Sequence, residues 1–143
     1  MLRHDILLAV RPVYVSYIQA GKKRVELRKK ILLNHINKIY IYATRPVQKI
    51  VGFFVPQRIA IYPPDVLWEM TKPHSCVTKK DFFTYFQGKK EGIGIFFNHF
   101  SPIAPTSLNE ISAPIPQNYV KLLQEQSQAL AKKSLISAPG VVF

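Results

Sequence analysis

The sequence predicts an α+β fold of one domain, a small curled sheet or barrel with short helices packed at its rim. Three observations point there. The chain has 143 residues, with 48% hydrophobic and 12% aromatic residues, enough to bury a core without disulfide or metal support. Its longest apolar runs are rich in β-branched and aromatic residues and are interrupted by bend residues, as strands of a curled sheet are. Short segments of helical spacing alternate with those strands, an order that suits helices laid on a small mixed sheet.

Taken in order, "DILLAV" (Asp5 to Val10) is apolar enough to be a buried strand. Pro12 then occupies the first turn of a short helix over "PVYVSYIQA", which Gly21 ends. "RVELRK" alternates, with Val25 and Leu27 on one side and Arg24, Glu26 and Arg28 on the other. "KIYIYAT" (Lys38 to Thr44) is a strand closed by Arg45-Pro46. Lys49 to Tyr62 reads as another long strand, with Gly52 and Pro56 marking a bend, bulge or edge. "PPDVLWEM" is a helix opening on prolines. In "TKKDFFTYFQG", Thr78 caps a helix that ends at Gly88. "GIGIFFNHF" is a buried strand. The proline-rich stretch from Ser101 to Pro116 is expected to be irregular, with a turn of helix at "SLNEI". "QNYVKLLQEQSQALAKK" is expected to be a final amphipathic helix with Tyr119, Leu122, Leu123 and Leu130 as its stripe. The domain is thus expected over 1–133, followed by an apolar tail over 134–143.

Charge narrows the function. The net charge is +12. The first 60 residues hold 12 Lys and Arg against two acids, Asp5 and Glu26, so +10 of that excess lies there. A concentrated basic face suits a polyanion, because each neutralised phosphate releases condensed counterions. Its bland rival is a solvated basic surface that serves solubility. No apolar run reaches the roughly 20 residues of a spanning helix, and no long basic amphipathic helix is present. A membrane partner is therefore not expected. One cysteine, Cys76, excludes an internal disulfide and suits a reducing compartment. With no convincing signal peptide in "MLRHDILLAVRP", a cytoplasmic location is expected.

The densest charge is "GKKRVELRKK" (Gly21 to Lys30), six basic side chains around one carboxylate, Glu26. Neighbours two apart on a strand stand side by side, so Glu26 lies between Arg24 and Arg28. It can hold a guanidinium fork in one orientation and leave its other donors for a phosphate or base edge. Taken alone, the same pattern is better read as an exposed strand with a weak surface ion pair, worth about 0–1 kcal/mol.

Wider context favours the first reading. An apolar strand, a basic-Pro pair, a short helix, and then Gly21, Lys23, Glu26 and Arg28 in a Gly-x-Lys-x-x-Glu-x-Arg pattern resemble the ASCH family of the PUA-like superfamily. Tyr42, Ala43, Thr44 and Pro46, then "IVG", "SCVTKKDFFTYFQGKKEGIGIFF" and "PQNYVKLL", extend the likeness over most of residues 5–123. The resemblance implies a small PUA-like β-barrel with flanking short helices. It implies a cleft between barrel and first helix that Lys23, Glu26 and Arg28 face, with Pro12, Tyr14 and Thr44 at its margins. It implies RNA, or another nucleic acid, as partner, with Lys22, Lys23, Arg24 and Arg28 supplying the field.

The alternative is a small amidohydrolase or nuclease acting on modified nucleosides or RNA, with Lys23 and Glu26 as its catalytic pair. Some ASCH-like proteins resemble amidohydrolases of acylated cytidine, but those have Thr where this chain has Glu26. A catalytic lysine must lose its proton, which burial and neighbouring cations favour and Glu26 opposes. Glu69 and Glu91 are the candidates for a second carboxylate. No cofactor is implied. His74 and Cys76 have no second pair at zinc-site spacing, so a structural loop is expected there and no metal site. Lys79, Lys80, Lys89 and Lys90 flank an apolar helix as a second phosphate contact or, preferably, a solubilising rim.

Overall fold

The computed structural model describes residues 3–31 and 34–135. Among the described residues eight strands and four α-helices follow one another in mixed order, confirming a mixed α+β fold. β1 (His4–Val10) is followed by α1 (Pro12–Gln19), β2 (Val25–Arg28), β3 (Ile36–Ala43), β4 (Lys49–Phe54) and β5 (Arg58–Tyr62). Then come α2 (Pro64–Thr71), α3 (Lys79–Tyr85), β6 (Gly92–Phe96), β7 (Ser101–Thr106), β8 (Tyr119–Lys121) and α4 (Gln124–Ala131). A single 3₁₀ turn, Leu108–Ile111, lies between β7 and β8, at the "SLNEI" expected to be helical.

The strands form two sheets, one of five in the order β7-β4-β3-β1-β8 and one of three in the order β2-β6-β5. No ladder closes them into one barrel among the described residues. In the larger sheet β1 runs parallel to β3 and antiparallel to β8. A parallel neighbour requires a crossover, and α1 with β2 provides it.

Side chains from both sheets meet in one apolar cluster, with Ile6, Leu8, Ile39, Ile41 and Phe54 from the larger sheet against Ile93 and Ile95 from the smaller. Leu7, Tyr40 and Ile50 point to the other face of the larger sheet, against Ile111 of the 3₁₀ turn, Leu122 just after β8 and Leu130 of α4. Leu27 and Ala60 cover the outer face of the smaller sheet with Leu67, Phe82 and Phe86 from α2 and α3. Both sheets are therefore covered on both faces. That is why β1 reads as a continuous apolar run rather than an alternation.

Three expectations are corrected. The long strand over Lys49 to Tyr62 is two strands in different sheets, β4 and β5, with the chain passing between sheets around Pro56. Ser101 to Thr106 is a strand despite Pro102 and Pro105, because β7 is the sheet's edge and an edge position tolerates a missing N–H. Tyr119 to Lys121 is the strand β8 and not the start of the last helix, since β1 offers it an open ladder; α4 is correspondingly short. Of the apolar tail, Ser134 bridges Ile103 and the Leu135 N–H donates to the Pro102 carbonyl at 3.1 Å; 136–143 lie outside the described residues. Among the described residues no helix is long and apolar enough to cross a membrane.

Candidate functional site

β2 is the floor of the site. It pairs antiparallel with β6, setting Glu26 opposite Ile95 and Arg28 opposite Ile93. Strand alternation then sends Leu27 towards α2 and α3 and turns Glu26 and Arg28 inward, towards β1. A cleft of about 590 Å³ opens there, lined by residues that include Arg11, Tyr14, Lys23, Glu26, Arg28 and Thr44. Its far wall is α3, through Asp81, Phe82, Thr84 and Tyr85, with Gln117 also at the margin. The resemblance implies a cleft between the barrel and the first helix; the α3 wall is an addition that the local pattern around β2 gave no reason to expect.

α1 delivers the lysine. Pro12 opens the helix and Gly21, at φ +76°, turns the chain out of it. The Lys23 N–H donates to the Tyr17 carbonyl at 3.0 Å. The Lys23 side chain, 1% exposed, donates from Nζ to the Ser75 carbonyl at 2.6 Å and lies 3.6 Å from Glu26 Oε1. It also sits 5.0 Å from the centre of the Tyr14 ring. Burial lowers the pKa of this ammonium, since desolvation penalises the charged form more than the Glu26 carboxylate and the Cys76 thiol raise it.

Glu26, 5% exposed, divides its oxygens. Oε1 faces Lys23, while Oε2 accepts from Arg28 Nη2 at 2.6 Å and from Nε at 3.2 Å. Arg28 goes further. Nη1 donates to Asn118 Oδ1 at 2.8 Å and Nη2 to the Ala9 carbonyl at 2.6 Å. Four of its five N–H groups are thereby engaged, leaving one on Nη1. Arg28 is chiefly a tie between β2, β1 and the approach to β8, with little left to offer a ligand.

Asn118, which the sequence did not single out, completes that tie. Its Nδ2 donates to the Lys30 carbonyl at 2.8 Å and its own carbonyl accepts from the Ala9 N–H at 2.9 Å. No local signal marks it, because its partners are 88 to 109 positions away in the chain.

The remaining sequence candidates fall as follows. Arg24 does not flank Glu26. It precedes the first paired residue of β2, its N–H donates to the His74 carbonyl, and its Nη2 donates to His74 Nδ1 at 3.1 Å. Lys23 stands in its place beside the carboxylate. Lys22 and Arg24 are exposed and lie off the cleft wall, as does Pro12, whereas Tyr14 and Thr44 are on it. Glu69 is 65% exposed and pairs with Lys72 at 2.5 Å, and Glu91 is exposed just before β6, so neither joins the cleft. Among the described residues no group of three or more His, Cys, Asp or Glu is arranged to hold a metal ion.

The buried charge does not balance. Lys23 and Arg28 share one carboxylate, so the deep end holds one positive charge beyond it. Such an excess favours an anion in the cleft and disfavours the protonated lysine.

No family model matches the chain. A curated relative, an ASCH domain-containing ribonuclease from Zymomonas mobilis, is 30% identical over 134 residues, 90% of each protein. The crystal structure of ASCH from Zymomonas mobilis superposes with a TM-score of 0.85 at 27% identity, covering 92% of this chain and 96% of that one. The N-terminal domain of Staphylothermus marinus McrB shares the fold at a TM-score of 0.59 and 10% identity, over 93% and 96% of the two chains.

Proposed function

This chain belongs to the ASCH domain family, and from that membership and the chemistry of its cleft we propose that it binds RNA and cleaves it. One nucleotide of the strand enters between α1 and α3, over the floor made by β2. Tyr14 offers it a face for stacking. Lys23 is the catalytic residue: as a neutral amine it takes the proton of a ribose 2′-hydroxyl. The freed 2′-oxygen attacks the adjacent phosphorus, the bond from phosphorus to the 5′-oxygen breaks, and that oxygen leaves with a proton returned by the Lys23 ammonium. A 2′,3′-cyclic phosphate and a 5′-hydroxyl result. Glu26 positions Lys23, and Arg28 with Asn118 positions Glu26.

The observation that carries this reading is Lys23 itself, a buried lysine on a cleft wall whose pKa burial lowers and whose carboxylate partner is already held by Arg28. The ribonuclease activity in the name of the Zymomonas mobilis relative supports RNA as the substrate.

The test compares wild type with Lys23→Arg, which keeps the charge but cannot titrate, and with Lys23→Gln as a smaller substitute. Cleavage of a labelled single-stranded RNA should fall by about 10²–10⁴-fold in both, while Lys23→Arg still binds and circular dichroism shows both folded. Wild-type rates in folded Lys23→Arg would end the claim for Lys23. Absence of both binding and cleavage by wild type would end the reading as a whole. The same lowered lysine also suits an amidohydrolase. Release of free cytidine from an acylated cytidine, by a wild type that leaves RNA intact, would favour that second reading.

A further inference from the structure

At the end of β2 remote from Lys23, two lysine pairs from distant parts of the sequence come together. The ladder sets Arg28 opposite Ile93 and runs antiparallel, so Lys29 and Lys30 leave β2 beside the segment that enters β6. That segment is Lys89-Lys90-Glu91. The turn after α3 places it there: Gly88 adopts φ +78° and the Lys89 N–H donates to the Phe86 carbonyl at 2.9 Å. All four lysines are exposed. The ion pairs found among the described residues involve Lys23, Arg28, Lys72 and Lys133 and none of these four.

This ridge is continuous with the cleft. Lys29 Nζ lies 4.6 Å from the centre of the Tyr85 ring, and Tyr85 is part of the cleft wall. A rim that served only solubility would gain from spreading its charges apart. The ladder instead sets two lysine runs at the same end of the smaller sheet, with Glu91 the single acid within them, and a local excess of one sign attracts a polyanion.

We propose that Lys29, Lys30, Lys89 and Lys90 form a track for the phosphate backbone of a single RNA strand as it leaves the cleft past Tyr85. The inference rests on the cleft being the nucleotide site. It assigns the substrate class as an RNA oligomer extending several nucleotides to one side, and not a mononucleotide or nucleoside. Lysine suits this task, since a flexible point charge follows a backbone without demanding a fixed geometry, and single-strand grooves of this kind cover about 4–16 nucleotides.

The experiment measures the binding of a fluorescent RNA dinucleotide and of a strand of about twelve nucleotides, within that site size, across a salt series. The proteins are wild type, Lys89→Ala/Lys90→Ala, and Lys121→Ala/Lys132→Ala, which removes the same charge elsewhere on the surface. The ridge variant should bind the longer strand with a log–log salt slope shallower by about 1.4, or roughly sevenfold less affinity lost over a fourfold rise in salt. Its dinucleotide affinity should match wild type, and the control should keep the wild-type slope. Equal slopes in the ridge variant and the control would overturn the track. A ridge-dependent slope alongside undiminished cleavage by Lys23→Arg would leave the track standing and remove the catalytic reading instead. Failure of wild type to bind either RNA would overturn both.

Discussion

Lys23 is held where water scarcely reaches, and its surroundings pull in opposite directions. Burial favours the neutral amine, and the carboxylate of Glu26 favours the ammonium; burial prevails. The lowered value has a consequence for folding. Between it and the ordinary lysine range, the unfolded chain binds more protons at Lys23 than the native one. Wild-type stability therefore gains with rising pH through that window. Lys23→Met has no such term. Its Tm relative to wild type should fall as pH is raised towards the ordinary lysine range, and calorimetry across a pH series would read this directly. A difference that stays constant with pH would contradict the lowered value. At this scale the pairing of Glu26 with Arg28 was legible, because alternate residues on a strand share a face and their charges are opposite. Residue spacing put Arg24 beside Glu26, and only the family resemblance set Lys23 with it in the cleft; the direct contact was not legible. It depends on where β2 begins pairing, and on the Ser75 carbonyl from a segment 52 positions away that draws the ammonium inward.

Elements were legible where local chemistry was strong and illegible where a neighbour decided. Pro12 opened α1, Thr78 capped α3 by accepting from the Asp81 N–H at 3.1 Å, and the apolar runs of β1, β3 and β6 formed strands. Pro102 and Pro105 argued against a strand, yet β7 forms on the edge beside β4, where Gly52 pairs with Pro102. Gly52 was marked as a bend or bulge, and the register slips between Ile50 and Gly52. Its need for glycine is one of space. A Cβ there would collide with the Phe100 ring and lie 2.5 Å from the Ser101 carbonyl oxygen. Gly52→Ala should cost about 1–3 kcal/mol, as overpacking of a dense interior does, and lower the urea midpoint without changing the slope of the transition. An unchanged midpoint would mean that the β4–β7 seam can open without penalty.

In the whole molecule, layering sets both stability and function. β1 lies between β3 and β8, and Ile6, Leu7 and Leu8 have no exposed surface. Their amides should exchange with solvent only through global unfolding, whereas those of β5, on the edge of the smaller sheet with Ile61 and Tyr62 exposed, should exchange through local opening. Hydrogen exchange followed by mass spectrometry would separate the two, and equal protection would contradict the layered description. The smaller sheet is covered on its outer face by α2 and α3 and on its inner face by the larger sheet. An acid and an arginine on β2 consequently become an interior pair instead of an exposed one. The sequence by itself determined the mixed fold class, the concentration of positive charge in the first 60 residues and the strand that carries Glu26 and Arg28, because composition, periodicity and same-face spacing act within a few residues. Only the tertiary structure decided that Lys23 is buried, that Asn118 locks Arg28, that α3 walls the cleft and that two remote lysine pairs meet. Each of those outcomes depends on segments far apart in the chain being brought side by side, and the first three draw their strength from excluding water, which no stretch of sequence does alone.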